Sequence, residues 1–80
     1  MTQINDKPWI SVESSSLARL RYSVDTMELL VEFKGGVQYL YQNIPSDLFL
    51  GLMTADSIGS AFHKLIKTQP ASYPYEKIAA

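Results

Sequence analysis

The sequence predicts a two-layer α+β domain, a three-stranded antiparallel β-meander followed by two α-helices packed on one face (β-β-β-α-α). Three observations lead there. Residues 17–24 alternate between apolar and polar side chains. Residues 27–41 form two runs rich in β-branched and aromatic residues, separated by Lys34-Gly35-Gly36. From residue 46 the apolar spacing changes from the period of a strand to that of a helix.

A chain of 80 residues with 46% hydrophobic content is one small domain, near the lower size at which a single core suffices. Residues 1–8 are expected to be a flexible N-terminus, 9–78 the domain and 79–80 the C-terminal end. The absence of cysteine excludes disulfides, thiolate zinc sites and iron–sulfur clusters. No apolar run approaches the roughly 20 residues of a membrane helix, and Met1 to Lys7 lacks the basic-then-apolar layout of a secretory signal. A cytoplasmic protein is expected. Seven Lys/Arg against eight Asp/Glu give a net charge of -1, so any nucleic-acid role needs a local patch rather than a global field.

Pro8 leads into a short extended piece, Trp9 to Val12, with Trp9 packed at the domain edge. In the first long strand Ala18, Leu20, Tyr22 and Val24 point one way, and Leu17, Arg19, Arg21 and Ser23 the other. Turn chemistry at Asp25-Thr26 sets Tyr22 opposite Leu29 and Leu20 opposite Val31, and Arg19 falls across from Glu32. A three-residue loop at Lys34-Gly35-Gly36, where glycine supplies the left-handed position, sets Phe33 opposite Val37, Val31 opposite Tyr39 and Leu29 opposite Tyr41. Met27, Leu29, Val31, Phe33, Val37, Tyr39 and Tyr41 then share one face with Leu20 and Tyr22. A slip of one residue would send both central tyrosines to the other face. That other face carries Arg19, Arg21, Glu28, Leu30, Glu32, Gln38, Leu40 and Gln42.

Ile44-Pro45-Ser46-Asp47 reads as a helix start, with Leu48, Phe49, Leu52 and Met53 on its inner side. Asp56 or Ser57 caps a second helix, in which Ile58, Ala61, Phe62, Leu65 and Ile66 recur at the spacing of an amphipathic face. Gly59 lowers helix propensity there and is tolerable only near an end or against a close neighbour. Thr68-Gln69-Pro70 ends the helix. Pro74 forbids a helical tail, and the aromatics of Tyr73-Pro74-Tyr75-Glu76-Lys77-Ile78 suggest an extended segment docked on the domain.

Val12-Glu13-Ser14-Ser15, Tyr22, Leu29-x-Val31-x-Phe33-x-Gly35-Gly36-Val37-x-Tyr39-x-Tyr41-x-x-Ile44-Pro45, Ala55-x-Ser57-x-Gly59-x-x-Phe62, Ile66-Lys67 and Tyr73-Pro74-Tyr75 follow one another in an order that resembles the KTSC domain. That family comprises the C-terminal extension of some lysyl-tRNA synthetases and small stand-alone bacterial and phage proteins. The resemblance runs from about Val12 to Ile78. Thr68 to Ser72 is longer than the family's spacing, and Leu40 stands where a polar or basic residue is usual. The resemblance implies no reaction, and its association with a tRNA-handling enzyme points to RNA as the ligand class.

Each candidate residue has a bland reading beside the functional one. Tyr39 and Tyr41 are of the type that stacks on bases in RNA-binding sheets, yet the register turns them toward the helices, where core tyrosines with hydroxyls at the rim are the first expectation. Arg19 and Arg21 with Lys34 make a short phosphate track, or else ion pairs with Glu28 and Glu32. His63, Lys64 and Lys67 form a small basic helix face, a pattern that solvated helices show routinely. Asp56, Ser60, His63 and Lys67 lie on one helical stripe, from which side chains diverge rather than converge as catalysis requires. One histidine and no cysteine give no metal-ligand spacing. Lys34-Gly35-Gly36 lacks the helix and Lys-Ser/Thr pair of a phosphate loop, and a hairpin turn accounts for it. The expectation is a non-enzymatic binding module without cofactor, metal or membrane, taking RNA through Arg19, Arg21, Lys34, Tyr39, Tyr41, His63, Lys64 and Lys67. The alternative is a protein-interaction or structural module, self-associating through an uncovered sheet edge or an apolar Leu30/Leu40 spot.

Overall fold

The alternation of residues 17–41 folds into the expected meander, and the sheet then grows at both edges. A computed structural model describes residues 4–69 and 71–79. Met1–Gln3, Pro70 and Ala80 lie outside the described residues, and with them parts of the expectations for the chain ends and the helix stop. A 3-10 turn, Ile4–Asp6, precedes strands β1 (Ile10–Ser11), β2 (Leu17–Ser23), β3 (Glu28–Phe33) and β4 (Gln38–Tyr41). Helices α1 (Ser46–Met53) and α2 (Ile58–Phe62) follow, α2 runs into a π-helical turn (His63–Lys67), and β5 (Tyr75–Ala79) closes the chain. All five strands are antiparallel in the order β1-β2-β3-β4-β5. The three-stranded expectation is therefore corrected to five. The extended pieces on either side of the meander each pair with its edges, because an unpaired edge leaves a row of backbone donors and acceptors to satisfy.

Register follows turn chemistry. Tyr22 pairs with Leu29, Leu20 with Val31 and Arg19 with Glu32, while Val31 pairs with Tyr39 and Leu29 with Tyr41. In the second hairpin Phe33 N–H donates to Val37 O (2.8 Å) and Gly36 N–H to Phe33 O (3.0 Å). Gly35 and Gly36 hold φ of 106° and 97°, the region that only glycine adopts freely. The first hairpin turns through residues 24–27, with Ser23 paired to Glu28. Val24 and Met27 therefore sit in the turn and are exposed rather than on the buried face.

Two departures from simple periodicity reshape the core. Between Leu17 and Arg19 the register shifts at a β-bulge, so that Leu17 pairs with Phe33. The extra residue reverses the parity of the strand, and Leu17, expected beside Arg19, is fully buried in the core instead. On the second helix the i→i+5 bond from Thr68 N–H to His63 O (3.2 Å) opens the last turn. A turn closed this way advances about 80° per residue instead of about 100°. Ile66 stays in the core while Leu65, expected to be buried, rotates out to 42% exposure.

The core lies between the sheet and the helices. Leu17, Leu20, Leu29, Val31, Tyr41, Ile44, Leu52, Ile58, Phe62 and Ile66 form one cluster. Tyr22 stacks on Phe49 of α1 (4.3 Å, 8°) and donates its hydroxyl to Ile44 O at 2.6 Å. Ser57 caps α2, its hydroxyl accepting from Ser60 N–H at 3.3 Å. The face opposite the helices is not an open polar surface. The 3-10 turn lies against β2 and β3, and Trp9 packs over Arg19 and Arg21. Leu30 on that face is only 5% exposed and Leu40 is half-buried, so the expected apolar Leu30/Leu40 spot is largely covered.

Candidate functional site

Alternation along β3 and β4 sends Phe33, Val37, Tyr39 and Tyr41 toward the helical layer, but that layer does not reach across the whole sheet. Phe62 of α2 meets Tyr41 and Phe33 edge-on, at 5.2 Å and 5.8 Å between ring centroids. Beyond it the sheet face is uncovered, and β5 adds Tyr75 opposite Tyr41. The result is a pocket of about 390 Å³ lined by Phe33, Val37, Tyr39, Tyr41, Lys67 and Tyr75. That volume falls within the roughly 300–1,000 Å³ of small-ligand sites.

Its walls are aromatic edges and faces. Tyr39 meets Tyr75 edge-on at 5.6 Å and Phe33 at 5.8 Å, while Tyr41 and Tyr75 lie 5.4 Å apart at 33°. Tyr41 is buried, Tyr39 half-buried and Tyr75 exposed, giving a pocket closed at the floor and open at the β5 side. Burial, and then the neighbouring hydroxyls of Tyr75 and Tyr39, push the Tyr41 phenol up to about 12. Lys67 sets its ammonium 5.7 Å from the Phe33 ring centroid at the rim. Lys77 pairs with Tyr39 across β5 and so shares the pocket's face of the sheet. Among the described residues no carboxylate lines the pocket.

The candidate residues separate into four places. Tyr39, Tyr41 and Lys67 come together in the aromatic pocket. His63 and Lys64 line a polar hollow with Ser15, Ser16, Ser57, Gly59, Ser60 and Thr68. Arg19 and Arg21 lie on the far side of the sheet. There Arg19 donates through Nε and Nη2 to Glu32 Oε2 and Oε1 at 3.0 and 3.1 Å, and Gln38 Nε2 donates to Glu32 Oε1 at 2.7 Å. Both guanidinium groups also stack on Trp9, at 4.1 and 4.2 Å from the ring. These bonds, Arg19's first, hold the Glu32 carboxyl below its ordinary range. Lys34 is exposed in the hairpin turn, its N–H bonded to Ser16 O. Arg19 and Arg21 therefore form a structural Arg–Trp–Glu cluster, with Lys34 apart from it in the hairpin turn, rather than a continuous Arg19–Arg21–Lys34 phosphate track. The stripe Asp56, Ser60, His63 and Lys67 is also divided: Asp56 lines a shallow depression with Ser11, Val12 and Glu13, Ser60 and His63 line the polar hollow, and Lys67 lines the aromatic pocket.

Sequence reasoning missed Tyr75, Phe33 and Val37 as pocket residues, and Lys77 on the same face of the sheet. The alternation Tyr75-x-Lys77 after Pro74 was the available signal, legible only once that segment is known to pair with β4. Among the described residues no group of three or more His, Cys, Asp or Glu could hold a metal ion, and no helix is long and apolar enough to cross a membrane.

The family model of the KTSC domain matches residues 13–69. The chain belongs to the KTSC domain family. This KTSC domain is 36% identical over 69 residues to an uncharacterized protein of Stutzerimonas stutzeri, covering 86% of this chain and 94% of that one. It is 35% identical over 72 residues to a lysine–tRNA ligase of Nostoc, covering 90% of this chain but only 12% of the ligase. Among solved structures it is similar to a KTSC domain protein from Yersinia pestis, with a TM-score of 0.79, 27% identity, and coverage of 90% of this chain and 97% of the other. The α+β fold of the KTSC domain is thus shared by the two chains.

Proposed function

We propose that this KTSC domain is a cytoplasmic, non-enzymatic binding module that holds an unstacked base of single-stranded RNA in the pocket of Phe33, Val37, Tyr39, Tyr41 and Tyr75. The observation that carries this reading is a partly open aromatic pocket with Lys67 and Lys77 on its face and no carboxylate among the described residues of its lining. Aromatic faces accept any base by stacking, at about 1–3 kcal/mol per base, and the lysines neutralise adjoining phosphates. The ligand class is further supported by the similar segment in a ligase whose name places tRNA among its substrates. The dispersal of Asp56, Ser60, His63 and Lys67 over three depressions supports a binding role over catalysis.

The test is a proton–nitrogen NMR titration of the labelled protein with short mixed-sequence RNA at low and at higher salt. Shifts should cluster on Phe33, Val37 to Tyr41, Lys67 and Tyr75 to Lys77. Two neutralised phosphates give a logarithmic salt slope of about -1.4, so affinity should drop about sevenfold between 50 and 200 mM salt. Tyr75→Ala should abolish the shifts while the remaining spectrum stays dispersed. An absence of shifts at high micromolar RNA would refute the reading.

A second reading rests on β5, a five-residue edge strand with Ile78 exposed. Such an edge adds a strand from a partner or a second copy. Sedimentation of the free protein separates the two: a salt-insensitive dimer with Tyr75 to Ala79 shifted on dilution supports β5 pairing, and a monomer at all concentrations refutes self-association.

A further inference from the structure

The polar hollow on the other side of the second helix has a chemistry of its own. Its volume is about 570 Å³, and Ser15, Ser16, Ser57, Gly59, Ser60, His63, Lys64 and Thr68 line it. Among the described residues, five hydroxyls, an imidazole and an ammonium surround it without a carboxylate. The nearest acidic side chains along the chain, Glu13 and Asp56, line a different depression.

Several of these groups already have structural duties. Ser57 Oγ caps α2, and Thr68 Oγ1 donates to Lys64 O at 3.0 Å. Ser14, just outside the lining, accepts from the N–H groups of Ser16 and Leu17, both at 3.2 Å, and so folds the serine bend. The hydroxyls of Ser15, Ser16 and Ser60, the His63 imidazole and the Lys64 ammonium have no side-chain partner among the described residues. The two walls are held close by Gly59, since a Cβ there would stand 2.8 Å from Ser14 Oγ and 3.3 Å from Ser16 Oγ. The bend and the helix therefore present their uncommitted donors into one shared space.

We infer that this hollow is a binding site for a phosphate ester, with Lys64 supplying the charge and Ser15, Ser16, Ser60 and His63 supplying hydrogen bonds to the phosphoryl oxygens. A set of donors around one cation, with no carboxylate among the described lining residues, suits a tetrahedral oxyanion. The hollow is far larger than a bare phosphate, so the group it accepts carries an organic substituent, either the end of a phosphomonoester or a link of a nucleic-acid backbone. The inference does not depend on the base pocket, which lies across the helix and is read by different residues.

The experiment is a proton–nitrogen titration of the intact protein with inorganic phosphate, and then with glycerol phosphate and a diribonucleotide, each at constant ionic strength against chloride. Saturable shifts are expected at Ser15, Ser16, Gly59, Ser60, His63 and Lys64, with Tyr39 and Tyr75 unmoved by inorganic phosphate. Lys64→Gln should weaken the phosphate affinity about tenfold or more, and Ser60→Ala should weaken it less, both with the spectrum otherwise preserved. Tighter binding of glycerol phosphate than of the diribonucleotide supports a site for a terminal phosphate, and the reverse order supports a site for the backbone. Shifts that grow linearly with phosphate as they do with chloride, or that survive Lys64→Gln unchanged, would overturn the inference. RNA shifts confined to the aromatic pocket would leave the base reading standing alone.

Discussion

Replacing Gly59 by alanine is a substitution whose sign depends on the contact between the serine bend and α2. On helix propensity alone it should stabilise, by up to about 1 kcal/mol. The new Cβ, however, would lie 2.8 Å from Ser14 Oγ, closer than real contacts allow, and 3.3 Å from Ser16 Oγ. Ser14 cannot rotate away freely, because its hydroxyl accepts from Ser16 and Leu17 N–H. Losing both bonds costs about 2 kcal/mol at roughly 1 kcal/mol each. The net effect of Gly59→Ala is a destabilisation of about 1 kcal/mol, or a Tm lower by about 4–8 °C for a domain of this size. In a Ser14→Ala background the obstructing oxygen is gone and its bonds are already lost, so the same glycine change should be neutral or stabilising. Urea and thermal unfolding of the four proteins of this cycle, followed by far-ultraviolet circular dichroism, measure a coupling of about 2 kcal/mol. If Gly59→Ala raises stability equally in both backgrounds, the close approach does not govern this site and the reasoning fails.

Glu32, held below its ordinary carboxylate range by bonds from Arg19 and Gln38, contributes stability that is present above its unfolded pKa and lost as pH falls through the depressed folded value. Plots of Tm against pH for wild type and Glu32→Gln should therefore separate toward neutrality and converge in acid; parallel curves would argue against the coupling. The Tyr41 phenol, raised to about 12, contributes stability that is complete below its unfolded pKa near 10 and disappears as pH rises through the folded value. In an alkaline absorbance titration Tyr41→Phe should remove the latest-ionising tyrosine, and loss of an early one instead would contradict its burial. Tyr22→Phe leaves Ile44 O without its 2.6 Å donor and should cost about 1–2 kcal/mol in urea unfolding, against an effect near zero if water replaces the hydroxyl.

The meander was legible because its determinants are local. Gly35 and Gly36 fix a three-residue loop, the loop fixes the register, and the register fixes the face of Tyr39 and Tyr41. The pairing of Arg19 with Glu32 follows in the same way from the Asp25-Thr26 turn of the first hairpin. In two places where local periodicity misled, one extra backbone unit was responsible. The bulge after Leu17 brought that residue into the core, and the π-helical turn put Leu65 outside it. Neither has a distinctive residue to announce it, since both arise from packing the element as a whole against its neighbours.

The candidate site was half visible. Tyr39, Tyr41 and Lys67 were singled out by type and do meet, whereas Arg19 and Arg21, equally suitable by type, are engaged by Trp9 and Glu32 on the opposite side of the sheet. By itself the sequence determined the α+β class, the register of the two hairpins beyond the bulge, the helix starts and the family, because turn residues, caps and periodicity act over a few neighbouring positions. Only the tertiary structure decided that residues 10–11 and 75–79 become edge strands, that the helices leave part of the sheet bare, and that His63 and Lys64 share a hollow with a serine bend more than 40 positions earlier. Those outcomes rest on edge pairing and on the reach of one layer over another, which depend on where distant segments lie at the same time.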